Sequence, residues 1–171
     1  MTRSARDFHL PDAAATDVLG AALAVALVPG LVITLEGDLG AGKTSLVRAM
    51  LRALGHSGPV KSPTYALVEL YNLSSLCLYH FDFYRFIDPE EFLDAGLAEY
   101  FRDDAVCCVE WPDKAAGVLP PVDLVVRFVI QSGVRDIFLQ PQSERGVACL
   151  SRLACPTLKP ASAAPPPAAA S

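Results

Sequence analysis

The chain has 171 residues, 52% of them hydrophobic and 19% charged, with a formal net charge of −5. This is one domain of ordinary size, able to bury a core without disulfide staples and too hydrophobic to stay disordered. Its 14 basic residues face 19 acidic ones, which excludes a free-standing nucleic-acid binder, because neutralising phosphates takes a basic surplus.

In chain order, Asp12 is placed to cap a helix through AAATDVLGAALAVAL, which Pro29-Gly30 ends. The uncharged run 18–35 imitates a membrane span, but Pro29-Gly30 cuts it into two short halves. Asp7, Asp12 and Asp17 ahead of it do not fit a signal peptide, so the expectation is a cytoplasmic protein without membrane association. LVITL (31–35) is a continuous apolar run of the kind found in buried parallel strands. After Gly37–Thr44, Leu46, Val47, Met50, Leu51 and Leu54 recur at helical spacing until Gly55. GHSGPVKSPT (55–64) reads as a loop, and 65–71 and 76–81 as two strands joined by a turn at 72–75. Asp88-Pro89-Glu90-Glu91 opens a helix, with Asp88 as cap and Glu91 reaching back. AVCCV (105–109) is a further buried strand, 123–130 and 135–139 form a late hairpin, and 144–153 is an amphipathic helix.

Five cysteines (Cys77, Cys107, Cys108, Cys149, Cys155) form no CxxC pair and read as core thiols in a reducing compartment. PTLKPASAAPPPAAAS (156–171) is almost all Pro, Ala and Ser and is expected to be a disordered tail behind a domain at 1–155. Its only charge is Lys159, so the body ahead of it is more acidic than the whole chain.

Gly37-Asp38-Leu39-Gly40-Ala41-Gly42-Lys43-Thr44 satisfies GxxxxGK[ST] at every fixed position. Its glycines let successive backbone N–H groups turn inward around a phosphate, and the helix that follows points its positive end at the same anion. Lys43 can reach the β- and γ-phosphates, while the Thr44 hydroxyl can take one Mg²⁺ position. A chance glycine-rich turn would lack the buried strand before it and the amphipathic helix after it. Such a loop needs a carboxylate at the end of an apolar strand, and two qualify, Asp82 after LCLYHF and Glu110 after AVCCV. Spacing leaves open which of them meets the metal. Thr64 in KSPTY stands where phosphate-loop GTPases carry a γ-phosphate sensor. Trp111, the sole tryptophan, fits a core, interface or ligand-contact role equally, and His80 reads as a structural histidine.

A regulatory GTPase is disfavoured. NKxD is absent, and the one DxxG, at 17–20, precedes the loop. A small-molecule kinase usually needs a lid rich in arginine, whereas Arg48, Arg52, Arg85, Arg102, Arg127 and Arg135 are scattered.

GDLGAGKT (37–44), VKSPTY (60–65), YHFDFYR (79–85), DPEEF (88–92) and VEWPDK (109–114) occur in an order and spacing that resembles the bacterial TsaE (YjeE) family. The resemblance spans about residues 7–139 and is densest over 31–114. It implies an α/β fold, a phosphate-loop NTPase-like three-layer domain around a central mixed β-sheet. It also implies an ATPase, weak alone, that serves threonylcarbamoyl modification of adenosine 37 in tRNAs reading codons that start with A. ATP and Mg²⁺ would be its cofactors. The phosphate-binding segment falls on Asp38, Leu39, Gly40, Ala41, Gly42, Lys43 and Thr44, with Lys43 also acting in catalysis. The metal-linked catalytic Glu falls on Glu110, the strand-end metal and catalytic Asp on Asp82, the switch Thr on Thr64, and the nucleotide-site Trp on Trp111. Its implied partners are the threonylcarbamoyl transferase subunit and its companion, a TsaD/TsaB-type pair, with tRNA met only indirectly. Hydrolysis would reset that complex between turnovers. The alternatives from the residues are a nucleotide-switched binding module without essential hydrolysis, or a small-molecule kinase. Two features depart from the family pattern: Ala66 stands after SPTY where a Thr is common, and the Pro/Ala tail is extra.

Overall fold

The computed structural model describes residues 4–167. Seven strands, β1 (Arg6–Leu10), β2 (Val32–Glu36), β3 (Val68–Asn72), β4 (Cys77–Asp82), β5 (Ala105–Glu110), β6 (Leu124–Gln131) and β7 (Val134–Pro141), form one sheet in the order β1-β7-β6-β2-β5-β4-β3. The inner four, β6, β2, β5 and β4, run parallel, while β7, β1 and β3 are antiparallel additions at the two sides. Four α-helices accompany them: α1 (Ala13–Ala26), α2 (Lys43–Ala53), α3 (Glu91–Asp94) and α4 (Glu144–Arg152).

Strand alternation sorts the core into two layers. Ile33, Leu35, Val106 and Cys108 join Leu19 and Leu23 of α1, Leu46 and Met50 of α2, and Leu150 of α4. Val32, Cys107 and Val109 face the other way, into an aromatic cluster of Phe81, Phe83, Phe86 and Phe92. The adjacent cysteines Cys107 and Cys108 thus serve opposite faces. All five cysteines are free, and all but Cys77 are buried. Helices α1 and α2 pack tightly: a Cβ placed on Gly20 would lie 2.3 Å from that of Ala49. Asp12 caps α1 as expected, its carboxylate accepting the Ala15 N–H at 2.8 Å. No helix among the described residues is long and apolar enough to cross a membrane.

Three elements differ from the sequence expectation. The strand expected from residue 65 begins only at Val68, because residues 64–66 turn and the Leu67 N–H returns to the Pro63 carbonyl at 2.7 Å. The capping box forms, with Glu91 accepting the Ile87 and Asp88 N–H groups, yet α3 lasts one turn before Gly96 at φ +66° redirects the chain. Strand β1 is an element that the sequence reading does not anticipate.

The segment after Cys155, expected to be disordered, packs over much of its described length. Leu158 lies against the core, and the Lys159 carbonyl accepts the His9 N–H at 2.8 Å. Asp7 accepts the Ala161 N–H, and Asp136 accepts those of Ser162 and Ala163. The reason is that β1 is an edge strand with unpaired backbone groups, which a segment can satisfy through its main chain alone. Residues 168–171 lie outside the described residues.

Candidate nucleotide site

Parallel pairing decides where the acids go. β2, β5 and β4 end at the same edge of the sheet, with Leu35 opposite Glu110 and Glu110 opposite Asp82. From that edge the chain leaves β2, turns through residues 37–42 and enters α2 at Lys43. Gly42, at φ +106°, is the residue before the helix and makes no side-chain cap, so the first N–H groups of α2 stay directed at the loop. The result is a cleft of about 230 Å³ lined by residues 39–45 with Ser62, Thr64, Asp82, Tyr84, Glu110, Trp111 and Arg135.

Every expected site residue except Asp38 lines this cleft. Asp38 takes part through its carbonyl, which accepts from Lys43 Nζ at 3.1 Å, while Gly37 O accepts a second bond from the same ammonium. Lys43 is 4% exposed, and its Nζ lies 4.0 Å from the centroid of the Trp111 ring. Burial pushes the lysine pKa down from its ordinary value, against the pull of Glu110, Asp82, Asp38 and Asp113. Trp111 holds a left-handed backbone (φ +58°), strained for a bulky residue, and also packs on Tyr84 at 5.1 Å between centroids.

The two acids are divided in their duties. Glu110, 3% exposed, accepts the Thr44 hydroxyl at 2.7 Å and the His80 Nε2–H at 2.8 Å, both on Oε1. Asp82 instead holds the KSPT loop. Its Oδ2 accepts from the Ser62 hydroxyl and from Thr64 at 3.2 Å, and its Oδ1 from the Tyr84 N–H at 2.9 Å. A hydroxyl and a carboxylate in contact at the foot of a phosphate loop form an all-oxygen donor set that suits Mg²⁺, which binds few protein groups beside water and phosphate. Thr44 and Glu110 would hold that ion.

Two contributors, Ser62 and Arg135, escape sequence reasoning, and His80, read there as a structural histidine, turns out to support an acid of the site. His80 is fully buried and is tied to Glu110, while its Nδ1 has no partner among the described residues. The one clue was its place two residues before Asp82 on an apolar strand. Ser62 is the second anchor of the loop, and Arg135 reaches the cleft from β7.

Comparison with known proteins identifies relatives of the chain. The family model described as threonylcarbamoyl adenosine biosynthesis protein TsaE matches residues 10–137. The chain is 46% identical over 121 residues to the tRNA threonylcarbamoyladenosine biosynthesis protein TsaE of Haemophilus influenzae, covering 71% of this chain and 77% of that protein. It is 41% identical over 119 residues to the protein of the same name from Synechocystis, covering 67% and 74%. The crystal structure of YdiB from Bacillus subtilis superposes with a TM-score of 0.75 at 30% identity, over 88% of this chain and 94% of that one.

Proposed function

The chain belongs to the TsaE family, and from this we propose that it is the ATPase subunit of tRNA threonylcarbamoyladenosine synthesis. In this reading it hydrolyses ATP with Mg²⁺ to reset a partner complex in the cytoplasm. The observation that carries the reading is the 2.7 Å contact between Thr44, on the phosphate-loop helix, and Glu110, the buried acid of the neighbouring strand.

ATP would enter with its phosphates against the loop N–H groups and the N-terminus of α2. Lys43 would exchange the Gly37 and Asp38 carbonyls for phosphate oxygens, a stronger, charge-assisted bond. Bound Mg²⁺ would neutralise phosphate charge. Glu110, oriented by His80, would accept the proton of the water that attacks the γ-phosphorus as the bond to the ADP oxygen breaks, giving ADP and phosphate. Thr64 would sense the γ-phosphate by leaving its bond to Asp82. The expected partners are the threonylcarbamoyl transferase subunit and its companion. The acidic chain would meet tRNA through them and not by direct, tight binding.

Glu110→Ala, assayed for phosphate release with those partners present, should lose about 100-fold or more in kcat. Undiminished hydrolysis would remove Glu110 from this role. The clasp of Asp82 on Ser62 and Thr64 favours a second reading, a switch in which ATP occupancy alone regulates assembly. Glu110→Gln separates the two, since sustained tRNA modification without hydrolysis would support the switch. ADP and free phosphate as sole products would exclude a small-molecule kinase.

A further inference from the structure

We propose that Arg135 is a nucleotide-holding residue that contacts the diphosphate portion common to ATP and ADP, from the wall of the cleft opposite Glu110 and Asp82. The proposal rests on the nucleotide reading of this cleft and adds to it a second cation, supplied by a distant part of the chain.

Sheet order provides the first argument. β5 and β4, which carry the two acids, lie on one side of β2, and β6 and β7 on the other. A group on β7 that reaches the phosphate loop must therefore arrive from the side away from Glu110, Asp82 and Thr64. Arg135 does so. It shares a face of β7 with Ile137 and Leu139, the face covered by α1 and α2, and it lines the cleft beside Lys43.

Its contacts provide the second. A Cβ added at Gly42 would stand 3.1 Å from Arg135 Nε and 3.5 Å from Cζ. The guanidinium thus lies on the backbone that wraps the phosphates, and a side chain at position 42 would displace it. Other arginines are already engaged: Arg48 with the Val60 carbonyl, Arg102 with Asp104, Arg127 with Glu36, and Arg145 with Asp103. Arg135 has no carboxylate partner among the described residues, and its buried Nε has no acceptor. A planar, permanently charged donor left unsatisfied beside an anion-binding loop is suited to a phosphate oxygen.

Placement provides the third. Arg135 sits in register between Leu10 of β1 and Ile130 of β6, so paired strands on both sides hold its backbone. Little ordering is left to do when the nucleotide arrives. A cation on this wall binds ATP and ADP alike, and is remote from the charge that develops as the γ-phosphoryl group leaves. It should therefore contribute more to affinity than to turnover at saturation.

The test is calorimetric titration of the full chain with ATP and with ADP in the presence of Mg²⁺, alongside hydrolysis as a function of ATP concentration. Arg135→Ala should weaken both nucleotides by about 10- to 100-fold, the loss of a charge-assisted contact. Arg135→Lys should keep part of the affinity, and Arg135→Ala should raise the KM for ATP by a larger factor than it lowers kcat. Arg135→Gln carries the same expectation as Ala if the smaller side chain disturbs folding by circular dichroism. Unchanged affinity for both nucleotides would overturn the proposal. So would intact ADP affinity with reduced turnover, which would move Arg135 to the γ-phosphate. An unmutated chain that binds neither nucleotide would overturn the reading of the cleft itself, a separate failure visible before any variant is made.

Discussion

Glu110 is held in place by the side chains that enclose it. Thr44 and His80 share its Oε1, and no donor among the described residues takes Oε2, which is left for a metal or a water. His80 is wholly buried and fixes the carboxylate without reaching the cleft. His80→Ala should raise the Mg²⁺ concentration for half-maximal hydrolysis by about 10- to 100-fold, as the loss of an orienting partner does at other metal sites. A change confined to thermal stability would reduce His80 to a packing residue. Burial also governs the thiols, raising Cys107 to about 12 and Cys149 to about 11. A thiol-exchange reagent should therefore modify one cysteine, Cys77, in the folded chain and all five after denaturation. The phosphate loop and both strand-end acids were legible as residues, because glycine freedom and an acid closing an apolar strand are local signals. Their division of labour was not. It depends on the long-range pairing of Asp82 with Glu110, and the approach of Arg135 likewise depends on a strand on the far side of β2.

Helices and strands with internal periodicity were legible to within one or two residues at α1, β2, α2, β5 and α4. β1 was not, because only Phe8 and Leu10 of its five residues are buried, too few for an alternation to stand out. The strap at 158–163 was hidden for another reason: it docks by main-chain N–H and C=O groups, on which composition says little. Ending the chain at Cys155 should cost about 1–3 kcal/mol in urea unfolding, from the lost hydrogen bonds and the cover over Leu158's site. The loss should depend on pH through Asp136. Burial works against its carboxylate, but His9 and the Ala163 and Ser162 N–H groups outweigh it and hold the pKa below the ordinary range. A depressed carboxylate stabilises the fold above the unfolded-state pKa, and the benefit disappears as pH falls through the folded one. The stability gap between full-length and shortened chains should be largest near neutral pH and shrink in acid, as pH falls below the ordinary carboxylate pKa of about 3.9. A gap that does not vary with pH would detach the strap from Asp136.

Across the whole molecule, the parallel centre of the sheet gathers Glu110, Asp82 and the phosphate loop at one edge, and the antiparallel β6–β7 hairpin brings Arg135 to the same place. The net charge of −5 belongs to a chain that collects its few useful cations, Lys43 and Arg135, in one cleft and spreads the others over its surface. In the proposed role such a protein would recognise a small polyanion and leave the large one, tRNA, to its partners. The measurement that reaches this claim most directly is the rate of phosphate release from ATP by the full chain, alone and with the threonylcarbamoyl transferase and its companion. Slow release alone, strong acceleration by the pair, and loss of both in Lys43→Ala are the predicted results. A rate that the pair leaves unchanged, while tRNA modification still proceeds, would contradict a partner-gated ATPase.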